Sequence, residues 1–300
     1  MGNFKSGFIS IIGRTNAGKS TLLNALVGEK VAITTYKSQT TRTAIRAIVN
    51  RSNSQMIFID TPGIHKSKTK LGNTMLETAF GTIPNTDITL FLVDGTYGKI
   101  GKGDRVVLEK IKETNKKTIL VINKIDLMKK EEVLKTIEMY KDEYEFTAII
   151  PISAEKNKNI EELLDEIEKH IPEGPAYYDI DEYTDQTARQ LVEETIREKA
   201  LKLLDDEIPH GIYVEVEKMN LRKTQKGEDI YNTEAIIYCL RDSHKGIIIG
   251  KNGEMLKKIG TYARQDLEKM LQTKLNLKIW VKVSQNWQDN SNIVKRFESK

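Results

Sequence analysis

The chain is short of cysteine, of long apolar runs and of low-complexity sequence, and each shortage excludes something. Its 300 residues include one cysteine, so no disulfide can form within the chain and nothing indicates an oxidising compartment. No run approaches the roughly 18 apolar residues that a membrane-spanning helix needs. The first residues, MGNFKSGFIS, are too weakly apolar for a signal peptide. We therefore expect a cytoplasmic protein, with peripheral binding to the cytoplasmic face of the membrane as the alternative.

The net charge of the whole chain is small, but two of its segments each carry a clear excess of one sign. The net charge is +4, yet residues 181–240 carry 8 basic and 14 acidic side chains, and residues 241–300 carry 13 basic and 6 acidic ones. A basic end after an acidic segment favours a polyanionic partner for the last stretch. A solvated lysine face would show the same pattern, so charge alone leaves both readings open.

What the chain does have, up to about residue 170, is an alternation of short apolar runs with helical patterns. Such an alternation predicts an α/β fold, a doubly wound and mostly parallel sheet with helices on both faces. The segment IPEGPAYY then interrupts the pattern with two prolines and a glycine. We predict a first domain over 1–172, a linker over 173–183, a second domain over 184–284 and a polar tail over 285–300.

The second domain has a different order of elements. A helical pattern over about 184–206 precedes strand-like runs at 211–219 and 232–241, and a glycine-centred turn at 250–253 precedes a long helix and a last strand, LKIWVKV. The order helix, strand, strand, helix, helix, strand predicts a smaller α+β domain.

The first apolar run, FISII, leads into GRTNAGKSTLLNALVG, in which Gly13 to Ser20 match G-x-x-x-x-G-K-[ST] between a strand and a helix. Glycines let successive backbone N–H groups point at phosphate oxygens, and the following helix adds its positive end. Lys19 can reach the β- and γ-phosphates. The candidate phosphate-binding residues are Gly13, Arg14, Asn16, Ala17, Gly18, Lys19, Ser20 and Thr21.

Two further pieces predict a magnesium site and a phosphate sensor. IFIDTPG ends a strand with Asp60, and the Gly63 N–H can donate to the γ-phosphate. A threonine on the loop between the pieces should reach the metal, and of Thr40 and Thr41 we favour Thr41. The candidate Mg²⁺ ligands are the hydroxyls of Ser20 and Thr41 with the Asp60 carboxylate.

NKID, at 123–126, selects the base. The Asp126 carboxylate can accept two hydrogen bonds from guanine N1–H and N2–H₂, donors that adenine lacks, so we expect GTP rather than ATP. Asn123 can contact the base N7 and the Lys124 stem can pack over the ring. SAEKN follows the next strand, and the Ala154 N–H can meet guanine O6, with Ser153 and Glu155 beside it.

The residue after D-x-x-G is Ile64, where many GTPases have a glutamine that orients the attacking water. Isoleucine cannot form that hydrogen bond, so water is positioned another way or hydrolysis is slow. Asn16 is one candidate contributor. His65 is another, although a solvated loop residue would look the same.

HKGIIIGKNGEMLKKIG, at 244–260, contains G-x-x-G, which in a KH domain lets a nucleic-acid backbone approach closely. A plain helix–turn–helix connection is the alternative. The local positive charge favours RNA. The candidate RNA-binding residues are Lys245, Ile249, Gly250, Lys251, Asn252, Gly253, Lys257 and Lys258.

The pieces GRTNAGKSTLLNAL, QTTR, DTPGI, NKID and SAEKN together resemble translation-factor-related GTPases with an apolar residue in the glutamine position. With its linker near 172 and its second domain, the whole chain resembles the Era family, bacterial GTPases with a C-terminal KH domain. The resemblance implies a type II KH fold, a role in assembly of the small ribosomal subunit and binding near the 3′ end of its ribosomal RNA.

The resemblance also implies a monovalent cation. In related enzymes the phosphate-loop asparagine helps to hold K⁺, and Asn16 stands in that position here. Relatives often have proline where this chain has Thr15 and valine where it has Ala17. We expect neither of these two side chains to touch phosphate.

We therefore predict a monomeric, Mg²⁺-dependent GTPase in which Lys19, Thr41 and Asn16 act on the γ-phosphate and GTP orders the loops near 36–43 and 63–80. We expect GTP and GDP, small-subunit ribosomal RNA and the assembling subunit as partners. The alternative is a GTP-dependent peripheral-membrane or protein-binding switch with very slow turnover.

Overall fold

The structure, a computed structural model, describes residues 3–35, 37, 40–64, 69–205 and 208–298. The chain divides into two units, residues 1–185 with 295–300 and residues 186–294. The domain limits drawn from the sequence stay predictions. His65, named above as a candidate, lies outside the described residues.

In the described part of the first unit, six strands form one sheet: β1 (Lys5–Ile12), β2 (Ile45–Arg51), β3 (Ser54–Asp60), β4 (Ile88–Asp94), β5 (Thr118–Asn123) and β6 (Ala148–Pro151). Their order is β2-β3-β1-β4-β5-β6. Only β2 runs antiparallel, beside β3, and the other neighbouring pairs are parallel. The carboxyl ends of the parallel strands therefore meet at one edge of the sheet, where ligands bind in such folds.

Helices cover both faces of this sheet: α1 (Lys19–Val27), α2 (Lys70–Gly81), α3 (Lys102–Thr114), α4 (Lys130–Lys141) and α5 (Ile160–His170). Leu90 and Leu92 of β4 pack with α1 and α5, whereas Phe91 and Val93 pack with α2, α3 and α4. Successive side chains of a strand point to opposite faces, so a continuous apolar run is what a sheet covered on both sides requires. The predicted doubly wound α/β fold is confirmed.

Helix α2 lies almost entirely within the stretch 63–80, which was predicted to be a loop. Its N-cap is Thr69, whose side chain accepts a hydrogen bond from the Gly72 N–H. Leu71, Met75 and Ala79 are buried. These three residues recur every fourth position and form one apolar face, so the expectation of a loop through 63–80 is wrong for its second half.

Residues 173–183, predicted as a linker, lie along the first sheet. The Gly174 N–H donates to the Phe4 carbonyl. Buried Gln55 accepts hydrogen bonds from the backbone N–H groups of Tyr177, at 2.7 Å, and Tyr178, at 3.1 Å. The segment that follows the first domain is thus anchored to that domain's own strands.

The second unit contains α6 (Ala188–Leu203), β7 (Tyr213–Lys223), β8 (Asp229–Cys239), α7 (Asp242–Ile249), α8 (Glu254–Met270) and β9 (Lys274–Val283), and α9 (Ser291–Glu298) follows. Strand β8 pairs antiparallel with β7 and parallel with β9. The apolar sides of α6, α7 and α8 pack on one face of this sheet. The predicted smaller α+β domain is confirmed.

Two stretches of the second unit differ from the sequence prediction. The strand-like runs in the sequence end at 219 and resume at 232, but β7 and β8 continue to pair over residues 220–223 and 229–232. The polar tail predicted at 285–300 contains α9 and a buried indole, since Trp287 has no exposed surface and donates from Nε1 to the Gly211 carbonyl at 3.0 Å. Within the described residues no helix is long and apolar enough to cross a membrane.

Candidate nucleotide and nucleic-acid sites

The loop between β1 and α1 curls around the side chain of Lys19. Gly18 has φ 100°, and a β-carbon there would lie 2.3 Å from Asn123 Nδ2, so only glycine fits. Lys19 is 6 % exposed, and its Nζ donates to the carbonyls of Gly13 and Arg14, each at 3.1 Å. Burial lowers the pKa of Lys19, and nearby Asp60 opposes that shift. The loop thus presents a buried ammonium beside the first turn of α1.

Three oxygen-bearing side chains meet beside Lys19. The hydroxyls of Ser20 and Thr41 donate to Asp60 Oδ2 at 2.8 and 3.1 Å, and the two hydroxyl oxygens are 2.8 Å apart. Thr40 instead contacts Thr35 and the Lys37 carbonyl. Thr41 and not Thr40 therefore faces the carboxylate, and its role as a metal ligand stays a prediction.

The Asp60 carboxylate has the properties of a cation ligand. It has no exposed surface, and its Oδ1 has no hydrogen-bond partner within the described part of the chain. Burial raises the pKa of this carboxyl, with Lys19 and the two hydroxyls acting against the shift. A buried, partly unsatisfied carboxylate with two hydroxyls is a set of oxygen donors that a hard cation prefers.

Asn123, at the end of β5, connects two loops. Its Nδ2 donates to the Ala17 carbonyl at 2.9 Å, and its Oδ1 accepts from the Ala154 N–H at 3.0 Å. The Ser153 hydroxyl donates to Asp126 Oδ1 at 2.6 Å. The NKID and SAE segments therefore lie side by side, and Glu155, the last residue predicted there, is exposed.

Asp94, at the end of β4, is a carboxylate at this edge that the sequence motifs did not predict. Its Oδ2 accepts from Lys124 Nζ at 2.7 Å and lies 3.4 Å from Arg14 Nη2, while the Arg14 guanidinium lies over the Tyr97 ring. Burial would raise the pKa of Asp94, but hydrogen bonds from Lys124 and Thr96 lower it. The signal was present in ITLFLVD, which ends a buried strand on aspartate just as IFID does.

A cavity opens beside these groups and extends to the loop after α1. Of the predicted residues it is lined by Asn16, Gly18, Lys19, Ser20, Thr21, Thr41 and Gly63, and it adds Thr15, Ile33, Thr34, Thr35, Lys37 and Thr40. Ala17 has no exposed surface, as expected of a side chain that does not touch a ligand. Thr15 lines the cavity, and the expectation that its side chain does not touch phosphate stays a prediction.

In the second unit, the G-x-x-G segment joins α7 to α8. Gly250 has φ 74° and ψ 175°, and a β-carbon there would lie 2.7 Å from the Met255 side chain. Lys251 and Asn252 are exposed at the tip, and Asn252 has φ 52°. The backbone therefore turns sharply and leaves two polar side chains to solvent.

The residues around the tip differ in how accessible they are. Lys257 and Lys258 on α8 are exposed, Lys245 and Gly253 are half-buried, and Ile249 is half-buried against the core of the unit. The sequence predicts all of them at one surface, and they come from α7, the connection and the start of α8. The short path of the chain through this turn is what brings them together.

Comparison with known protein families gives a match for each of the two parts of the chain. A family model described as a 50S ribosome-binding GTPase matches residues 8–124, and a KH domain model matches residues 207–288. A P-loop GTPase domain followed by a KH domain is therefore the class of protein that this fold and these sites define.

Similarity over nearly the full length of the chain identifies one family within this class. The chain is 51% identical to GTPase Era of Clostridium kluyveri and 50% identical to GTPase Era of Clostridium tetani, in each case over 97% of this chain and 98% of the relative. The chain therefore belongs to the Era family of GTPases.

Two solved structures show the same architecture. One is Era in complex with MgGDPNP and nucleotides 1506–1542 of 16S ribosomal RNA, at 39% identity, TM-score 0.93 and 98% coverage of both chains. The other is a substituted Aquifex aeolicus Era bound to GDP.AlF4−, at 39% identity, TM-score 0.93 and coverage of 98% of this chain and 99% of that one.

Proposed function

We propose that this protein is a GTPase that binds and hydrolyses GTP and binds the 3′ region of small-subunit ribosomal RNA through its KH domain, in assembly of the small ribosomal subunit. The observation that carries the proposal is the convergence of Lys19, Ser20, Thr41 and Asp60 at one edge of the sheet. The NKID and SAE segments lie at the same edge, joined to the phosphate loop through Asn123. The RNA complex of a relative with this architecture supports the second half of the proposal.

In this proposal the loop from Gly13 to Thr21 binds the phosphates. Lys19 now donates to two loop carbonyls, and in the complex its ammonium faces the β- and γ-phosphate oxygens instead. The Gly63 N–H donates to the γ-phosphate. The preorganised N–H groups and the buried ammonium stabilise the charge that develops on the phosphate oxygens during hydrolysis.

Ser20, Thr41 and Asp60 fit a magnesium ion. Their three oxygens are already within hydrogen-bond distance of one another, and the buried Oδ1 of Asp60 has no partner within the described residues. When bound, Mg²⁺ supplies positive charge at the β- and γ-phosphate oxygens. The protein's part is to hold the two hydroxyls and the carboxylate in place.

Guanine is selected by the second group of residues. Asp126 accepts from N1–H and N2–H₂, the Ala154 N–H and Asn123 lie at the O6 and N7 edge, and Lys124 packs over the ring. The Ser153 hydroxyl, 2.6 Å from Asp126 Oδ1, fixes the carboxylate for that contact. A base without the two donors leaves the carboxylate without these two hydrogen bonds.

The nucleotide and RNA functions are expected to be coupled, and binding measurements test this directly. We expect a labelled 3′ fragment of small-subunit ribosomal RNA to bind more tightly in the presence of a non-hydrolysable GTP analogue than of GDP. The physical reason is that γ-phosphate contacts order the loop containing Thr41. Hydrolysis is measured on the same preparation in a single turnover.

Binding of the RNA that is equal in both nucleotide states would contradict the coupling. The alternative, a peripheral-membrane or protein-binding switch with very slow turnover, would instead show sedimentation with anionic liposomes and no measurable hydrolysis. The cytoplasmic location and monomeric state are further predictions of the proposed function.

Asn16 is the residue proposed to hold K⁺. It is exposed, has φ 62° and lines the cavity between Thr15 and Gly18. An amide oxygen at the rim of a phosphate site is the type of ligand that K⁺ accepts. We expect GTP hydrolysis to be about 10-fold faster in K⁺ than in Na⁺, an effect of about 1.4 kcal/mol, and Asn16→Ala to remove the difference. Equal rates in the two salts for the unaltered protein would contradict this role.

A further inference from the structure

The cavity has an end at which Thr15, Gly63 and Lys19 meet. A β-carbon built on Gly63 would lie 2.8 Å from Thr15 Cγ2 and 3.2 Å from Lys19 Nζ, so Thr15 packs directly against Gly63, and all three residues line the cavity. Ser20 and Thr41 line the adjoining wall. Given the proposed function, on which this inference rests, the γ-phosphate and the attacking water belong at this end.

The side chain of Ile64, which follows Gly63, cannot hydrogen-bond to the attacking water. Ile64 is 6 % exposed and packs in the apolar cluster with Phe91 and Val93. Its backbone N–H donates to the Gly13 carbonyl at 3.3 Å. Isoleucine has no hydrogen-bonding group beyond its backbone, and this side chain is turned into the core.

Thr41 and Thr15 each bring a hydroxyl group to this part of the cavity. The Thr41 hydroxyl is hydrogen-bonded to Asp60 and to Ser20. The Thr15 hydroxyl makes no hydrogen bond within the described part of the chain, although the residue is half-buried and lines the cavity. It is bonded to the same β-carbon as the methyl group that lies against Gly63, so it is close to the part of the cavity that Gly63 lines.

We propose that Thr15 is a catalytic residue whose hydroxyl oxygen accepts a hydrogen bond from the attacking water and thereby orients it. The water oxygen forms a bond to the γ-phosphorus, and the bond from that phosphorus to the β–γ bridging oxygen breaks. The electron pair of the broken bond stays on the bridging oxygen, which leaves as part of GDP. The water proton goes to the released phosphate, and Thr15 keeps its own proton.

A pair of substitutions separates the hydroxyl from the methyl group. Thr15→Val keeps the shape and removes the hydroxyl, and we expect the single-turnover rate constant to fall about 10- to 100-fold, the size of one lost hydrogen bond to a charged centre. Thr15→Ser keeps the hydroxyl, and we expect a rate within about 3-fold of the unaltered protein, a difference below 1 kcal/mol. Affinities for GDP and for a non-hydrolysable GTP analogue, measured with a fluorescent nucleotide, should be unchanged in both.

A transition-state analogue gives a second readout that a loss of packing would not move. We expect Thr15→Ser, but not Thr15→Val, to form the complex with GDP and aluminium fluoride. Hydrolysis by Thr15→Val within 2-fold of the unaltered rate would overturn the inference and leave the proposed function intact. Equal slowing of both variants would also overturn it, because the methyl contact with Gly63 would then matter. No hydrolysis by the unaltered protein would overturn the proposed function itself.

Discussion

Asp126→Asn is expected to change the base that this protein binds. We expect the affinity for GDP and GTP to fall about 100- to 1000-fold, because the asparagine NH₂ meets the guanine N2–H₂ group, donor against donor, where the carboxylate accepted two charge-assisted bonds. Xanthine carries a carbonyl at that position and keeps N1–H, so it matches the new amide. Titration with fluorescent guanine and xanthine nucleotides measures both changes.

The control for this exchange is Asp126→Ala. It also loses the carboxylate, but it offers no donor to xanthine, so it should lose guanine binding and gain nothing. The Ser153 hydroxyl, which donates to Asp126 Oδ1 at 2.6 Å, can donate to an amide oxygen as well, so the asparagine keeps its support. If the asparagine variant binds GDP as tightly as the unaltered protein, Asp126 does not contact the guanine base.

Much of the first domain's fold follows from the sequence because its strands are buried on both faces. The run ITLFLVD is apolar at every position except Thr89 and the final Asp94, and β4 covers Ile88–Asp94. Helix α2 was missed because its apolar positions, Leu71, Met75 and Ala79, are spread among polar residues and follow a loop. Residues 220–230 were missed because a hairpin exposed on both faces lacks the apolar alternation that marks a strand.

The candidate site, like the fold, was predicted from the sequence only in part. Motifs predicted which side chains bear the chemistry, because Lys19, Ser20 and Asp60 sit at fixed offsets from a strand end. They did not predict that Asp94 holds both Arg14 and Lys124, since that contact depends on β4 lying between β1 and β5. Strand order is a long-range property, and no local pattern records it.

The Asn123 side chain connects the phosphate-binding loop to the base-binding segment. One amide group donates to the phosphate loop through the Ala17 carbonyl and accepts from the Ala154 N–H of the base-binding segment. Asp94 adds a second connection between the same two regions through Arg14 and Lys124. The phosphate-binding and base-binding loops are therefore held in register before nucleotide arrives, which lowers the ordering cost of binding.

In the KH domain, Lys251→Asp combined with Asn252→Asp is expected to weaken RNA binding about 100-fold or more. Both side chains are exposed at the tip between α7 and α8, where the glycines allow the phosphate backbone to approach. The exchange replaces a cation and a neutral amide with two anions, so attraction to phosphate becomes repulsion. The dependence of binding on salt should also become weaker, because fewer counterions are released. Fluorescence anisotropy with the labelled RNA fragment at several salt concentrations measures both.

The matched control is Gln225→Asp combined with Lys226→Asp. It changes the net charge by the same amount on exposed residues in the turn between β7 and β8 of the same domain. We expect it to weaken RNA binding only a few-fold through the general field of the domain. Intrinsic GTP hydrolysis without RNA should be unaltered in both variants, since neither touches the nucleotide site. Equal losses in the two variants would mean that net charge, and not the glycine turn, carries the RNA contact.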